Sequence, residues 1–149
     1  MKPQETIDFH IRWAWHSIAR LYNDTAEKHD LTVSTAFLLL NIDLKEGTPS
    51  TKLGPKMGME PRSLTRTLKS IEDNGLIFRK TDKHDKRMVR IYLTEAGKKK
   101  RDISKKAVIR FNEYMQEQIP KNKLNNFFEV IESINKLLKE KTKEEIFNL

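Results

Sequence analysis

The sequence predicts a mostly α-helical protein with one small β-hairpin, on three observations. Apolar residues recur at three- and four-residue spacing through most of its 149 residues. Only residues 76–94 break this pattern, with two short β-branched and aromatic runs, LIFRKT and MVRIYLT, flanking the charged tip DKHDKR. Hydrophobic residues make up 37% of the chain and charged residues 34%, which suits long solvated helices or a core completed by a second copy.

The elements follow in order. Residues 5–29 predict a long helix, with Phe9, Trp13, His16/Ser17 and Arg20/Leu21 recurring on one side and Ile11, Trp15 and Ile18 widening it. A second helix is expected from about residue 32, with Val33, Phe37, Leu40 and Leu44 on one face and Gly47 as its stop. A short helix begins near Ser50 or Thr51, either able to cap it. Pro55 lies inside that helix, where it should kink the chain or remove an N–H bond. The next helix starts at Pro61, whose missing N–H costs nothing in a first turn, and ends at Gly75. After the hairpin, Thr94 can cap a helix with Glu95 in its first turn. Ile103, Ala107, Phe111 and Met115 line one side of it, and Pro120 breaks it. A last helix carries Leu124, Phe127, Ile131, Ile134 and Leu138 at coiled-coil spacing, and the tail EKTKEEIFNL is expected to fray. Helices with a turn followed by a hairpin make a winged helix-turn-helix, here flanked by long terminal helices.

Composition removes several functions. There is no cysteine, so disulfides, cysteine-ligated zinc and thiol redox sensing are excluded. The four histidines form no ligand spacing, and no phosphate loop or nucleophile elbow is present, so neither enzyme chemistry nor a metal or cofactor is expected. No apolar run is long enough to cross a membrane, and a soluble cytoplasmic protein is expected. The net charge of +8 is not spread evenly. Residues 50–101 hold fifteen Lys/Arg against six Asp/Glu, while the remainder hold fourteen against fifteen. Charge concentrated in this way marks either a polyanion partner or a solvated basic surface.

The helix after Pro61 favours the first. At about 100° per residue, Arg62, Thr65, Arg66 and Lys69 share one arc, Leu64, Leu68 and Ile71 lie opposite, and Ser63 and Thr67 fall between. Such a face fits a DNA major groove, whose floor offers guanine acceptors to Arg and varied edges to Ser/Thr. Arg62 and Arg66 are the candidate base readers. Ser63, Thr65 and Lys69 suit base edges or phosphates, and Lys52 and Lys56 suit the backbone. At the hairpin tip, Lys83, His84, Lys86 and Arg87 are placed to follow the duplex, with Arg87 entering the minor groove. Asp82 and Asp85 support that wing in one of two ways. Either one holds the Arg87 guanidinium, Asp85 being the preferred partner, or both fix the turn through their own backbone.

The stretch SLTRTLKSIEDNGLIFRKTDKHDKRMVRIYLTEAG, residues 63–97, resembles the MarR family of bacterial transcription regulators. The matching features are Thr65-Arg66, Ile71 with Gly75-Leu76 and Arg79, Asp82-x-x-Asp85-x-Arg87, and Leu93-Thr94-x-x-Gly97. His84 stands where a second wing Arg is frequent, and Gly54-Pro55 where the family tends to have Ala and a non-proline residue. The resemblance implies a single domain over 1–149, with a DNA-binding region at about 32–97 and dimerisation helices at about 5–29 and 95–142. It implies a homodimer on a pseudo-palindromic double-stranded DNA operator, repressing transcription until a small lipophilic or aromatic effector binds. By spacing alone, the Leu124, Phe127, Ile131, Ile134 and Leu138 seam fits dimerisation and intramolecular packing equally. Trp13, His16 and Arg20 are the candidate effector contacts, although aromatic residues at helical spacing are more often core. The competing functional class is a winged-helix protein-interaction module that does not touch DNA.

Overall fold

The computed structural model describes residues 1–148. After a 3-10 turn at Pro3–Glu5 the elements are α1 (Ile7–Glu27), α2 (Val33–Asn41), β1 (Thr48–Pro49), α3 (Ser50–Met57), α4 (Pro61–Asp73), β2 (Ile77–Thr81), β3 (Val89–Leu93), α5 (Glu95–Gln118), α6 (Lys121–Glu140) and α7 (Lys143–Phe147). The chain forms two compact units, Met1–Val108 and residues 109 onward.

The first unit holds the core. Leu38, Leu39, Ile42, Leu53, Ile71, Ile77 and Ile91 are fully buried, drawn from α2, α3, α4 and the sheet. The sheet is antiparallel in the order β1-β3-β2. Ile77 faces Leu93, Arg79 faces Ile91 and Lys80 faces Arg90. Alternation places Ile77, Ile91 and Leu93 on the core side and leaves Phe78, Lys80, Arg90 and Tyr92 on the other. The sheet's third strand, β1, was not expected. Its two residues pair with Ile91 and Arg90, a contact too short to show any period in sequence.

Helix α2 corrects the expected pattern. It starts where Thr32 accepts the Thr35 N–H at 3.1 Å but stops at Asn41 rather than at Gly47. Asp43 ends it by accepting the N–H groups of Lys45 and Glu46, each at 2.8 Å, a local turn that competes with further helix. Thr48 closes the turn, its hydroxyl accepting the Asp43 N–H at 2.9 Å. Leu44 therefore lies in the turn, exposed, and Leu38 and Leu39 carry the packing instead.

In α1 only one edge of the expected apolar side is packed. Trp15 stacks on Phe37 with ring centroids 6.1 Å apart, and Tyr22 meets the same ring edge-on at 6.0 Å. Trp13 and Arg20 lie on the exposed side. Helix α3 begins at Pro49 as N-cap, with no side-chain bond from Ser50 or Thr51. Pro55 does not abolish the helix, which ends only two residues later at Met57. There the N–H of Met59 returns to the Gly54 carbonyl at 3.0 Å. A Cβ on Gly54 would lie 3.2 Å from the Met59 oxygen and 3.3 Å from Leu64, so the Gly-Pro pair lets the turn close tightly against α4.

Helix α4 runs as expected from Pro61, with Leu64, Leu68 and Ile71 buried. Past it, Thr94 caps α5 by accepting the Gly97 N–H at 3.0 Å and donates its hydroxyl to the Gly75 carbonyl at 2.7 Å. In the second unit, Leu124, Ile131 and Ile134 of α6 are half-buried while Phe127 and Leu138 are exposed. The tail does not fray over the described residues. Thr142 and Glu145 form a reciprocal capping box that starts α7.

Candidate nucleic-acid interface

Every candidate contact residue in α3, α4 and the wing lies at the surface. Arg62, Ser63, Thr65, Arg66 and Lys69 are exposed along α4, opposite the buried Leu64, Leu68 and Ile71. Among the described residues, none of Arg62, Arg66 and Lys69 forms an ion pair, so their charges face outward uncompensated. The Thr65 hydroxyl donates to the Pro61 carbonyl at 2.9 Å, which leaves its oxygen as an acceptor. Lys52 and Lys56 are exposed on α3.

The wing tip is built by its two acids. Asp82 accepts the N–H groups of His84 at 2.7 Å and Asp85 at 3.0 Å. Asp85 accepts the Arg87 N–H at 3.0 Å, and its carbonyl receives Met88 at 2.9 Å. Both acids therefore fix the turn through the backbone, and neither holds the Arg87 guanidinium. The expected orienting role of Asp85 is corrected on this point: its carboxylate is spent on the main chain two residues on. Lys83, His84, Lys86 and Arg87 project from the tip, all exposed.

The partner of Asp82 is Arg90, which the sequence reading missed. The Arg90 Nε donates to the Asp82 carboxylate, and its NH1 reaches the carbonyls of Glu46 at 3.0 Å and Gly47 at 3.3 Å. The Asp82 side chain is only 5% exposed. Arg90, followed by the two tip N–H groups, holds its carboxyl far below the usual carboxylate range. Asp82 in turn pushes the Arg90 guanidinium up. The signal for Arg90 was its place opposite Lys80 in the hairpin, with Asp82 two residues further toward the tip, a register that only the folded pairing fixes. Behind the wing, Arg79 pairs with Glu72 at 2.8 Å, tying β2 to the end of α4.

Of the candidate effector contacts, Trp13 and His16 meet with Phe9 and Arg12 around an open recess on α1. Arg20 is not part of it. A separate apolar cavity lies between α1, α2 and the start of α5, lined by Tyr22, Phe37, Leu40, Ile103 and Ala107 among others. Its volume, about 30 Å³, holds water-sized groups, whereas a drug-sized ligand needs about 300 Å³ or more. Among the described residues, no cluster of His, Asp and Glu gathers as metal ligands, and no helix is long and apolar enough to cross a membrane.

A three-stranded wing, a basic helix facing outward and a helix-turn before it define a winged helix-turn-helix. The profile of the transcriptional regulators SarA/Rot matches residues 20–104, more than half of the chain, and the chain belongs to this family. Its fold is that of the MarR-type regulators, and its family is one of transcriptional regulators rather than enzymes. Among curated proteins, the HTH-type transcriptional regulator TtmR of Methylorubrum extorquens (strain PA1) is 31% identical over 90 residues, covering 60% of this chain and 46% of TtmR. The chain spans about half the length of the first curated relatives it matches. Among solved structures, the Staphylococcus aureus MepR–DNA complex superposes with a TM-score of 0.81 at 16% identity, covering 88% of this chain and 97% of MepR. CouR of Rhodococcus jostii RHA1, bound to p-coumaroyl-CoA, gives 0.77 at 24% identity over 90% of this chain and 94% of CouR.

Proposed function

We propose that the protein is a sequence-specific, DNA-binding homodimer that represses transcription in the cytoplasm until a small lipophilic or aromatic ligand releases it. The observation that carries this reading is the outward face of α4. Three cations without ion-pair partners and two short hydroxyl side chains stand along one helix whose other face is anchored in the core. Arg62 and Arg66 read base edges, Ser63, Thr65 and Lys69 read edges or phosphates, and Lys52 holds the backbone. Lys83, His84, Lys86 and Arg87 extend the contact along the wing, and Asp82 and Asp85 keep that tip in shape. In this reading residues 32–97 form the DNA-binding region within a single MarR-like domain.

The terminal helices serve the dimer. Leu124, Phe127, Ile131, Ile134 and Leu138 give α6 an apolar face that is half-buried or exposed in one chain, and a second copy covers it on a pseudo-palindromic operator. The effector binds at Trp13 and His16, with Arg20 closing over it in the dimer. CouR, a structural neighbour, was solved with an aromatic acyl thioester, which supports that ligand class. Ligand and operator select different spacings of the two wings, so each weakens the other by the same factor. The test is an electrophoretic shift of the protein's own upstream region. Wild type should retard it and Arg66→Ala should not. Equal retardation of both would remove α4 as the reader, and no retardation by either would favour the protein-interaction class.

A further inference from the structure

The outer side of the wing sheet carries a second cationic feature, away from α4. Phe78 and Tyr92 stack there, centroids 5.5 Å apart and 15° from parallel. The Lys80 ammonium sits over both rings, 5.3 Å and 5.7 Å from their centroids. Beside it a recess lies between the turn after α2 and the wing. Its floor is the Asp82–Arg90 ion pair, which is neutral as a unit, with Arg90 also bonded to the carbonyls of Glu46 and Gly47.

Three lysines line this recess from three segments: Lys45 from the turn, Lys80 from β2 and Lys83 from the tip. Among the described residues, none of them forms an ion pair. His84 and the exposed acid Glu46 also border it. One carboxylate against three ammonium groups leaves a positive field, and converging like charges favour an anion between them. The aromatic pair restrains Lys80 before anything binds, which lowers the ordering cost of the contact. Ammonium groups act as point charges that suit phosphate without demanding a fixed fork.

We infer that this recess, through Lys45 and Lys80, holds a backbone phosphate of the operator on the flank of the wing, outside the groove that α4 enters. The inference rests on the DNA-binding reading above. Two features select a passing strand over a free ion. Lys45, Lys80 and Lys83 are exposed where they line the recess, and the recess runs into the tip through Lys83 and His84, so a strand following the tip crosses it. Glu46 opposes the contact and limits its strength.

The test uses the full chain and a fluorescent duplex from its upstream region, with anisotropy read across a salt series. The double variant Lys45→Gln/Lys80→Gln should flatten the slope of log K against log salt by about 1 to 2, since each lost phosphate contact removes about 0.9 and a dimer has two wings. Glu46→Gln should tighten binding, and Lys123→Gln on α6 should change nothing. Circular dichroism confirms that the exposed substitutions leave the fold intact. A steep wild-type slope that the double variant keeps overturns this site and leaves the α4 reading standing. A wild type without salt-dependent binding overturns both. Inorganic phosphate titrated without DNA, followed at the Lys80 and Tyr92 amides, separates the sources. Phosphate saturation there, together with an unchanged slope in the double variant, assigns a free-anion site and overturns the backbone contact.

Discussion

Replacing Gly97 by Ala tests how the wing is held to the rest of its unit. Gly97 lies in the first turn of α5, packed on the corner between α4 and β2. A Cβ built there would fall 1.9 Å from the Leu76 carbonyl oxygen and 3.0 Å from its carbon. Ordinary contact begins near 3.4 Å, so α5 must withdraw by about 1.5 Å from a backbone atom that cannot rotate away. The shift also stretches the Thr94 N–H bond to Leu76, now 3.1 Å, and the Thr94 hydroxyl bond to Gly75, now 2.7 Å. Overpacking costs about 1–3 kcal/mol, and a strained hydrogen bond adds about 1 kcal/mol. The expected loss is roughly 2–4 kcal/mol, a fall in Tm on the order of 5–15 °C for a chain of this size. Urea unfolding followed by circular dichroism reads the free energy directly. A variant within about 0.5 kcal/mol of wild type, well under the overpacking range, would show that the corner gives way freely and that α5 does not brace the wing.

Two further outcomes are expected. Asp82 has a carboxyl well below its ordinary value, so its support of the tip is complete above the unfolded value of about 3.9 and is lost only as pH falls through the lower folded value. Amide exchange at His84 and Asp85 should stay protected from pH 8 down to about 4.5, the upper edge of ordinary carboxylate titration, and loss of protection at pH 5.5 would contradict the Asp82–Arg90 account. Leu124→Glu with Ile131→Glu places charges in the apolar face of α6 and should give monomers or unfolded chain by sedimentation, whereas a stable dimer would place the subunit contact elsewhere.

The α4 face was legible in sequence because helical period, Pro61 and the charge arc agreed on one segment. All eleven candidate DNA contacts are exposed, as a contact surface requires. The end of α2 was not legible. Its apolar run continues to Leu44, and only the Asp43 turn, whose carboxylate accepts two N–H groups, ends it early. The Asp82–Arg90 pair escaped because it depends on strand register, and Asp82 was assigned instead to the nearer Arg87. Lys45 escaped for a similar reason. It is 35 residues from Lys80 in the chain, and only β1 and the Arg90 bonds to Glu46 and Gly47 bring it to the wing. The α1 face was drawn broadly because its aromatic residues surround the helix, so period alone could not tell the packed Trp15–Tyr22 edge from the exposed Trp13 edge.

The central claim, that α4 and the wing bind duplex DNA through charge, is tested most directly by the salt dependence of binding. Anisotropy of a duplex from the upstream region, titrated with the wild-type protein between 50 and 200 mM salt, gives log K against log salt. A dimer neutralising on the order of eight phosphates should give a slope of about −7. A slope near zero would contradict the account, because the unpaired cations of α4 and the wing would then face something other than nucleic acid.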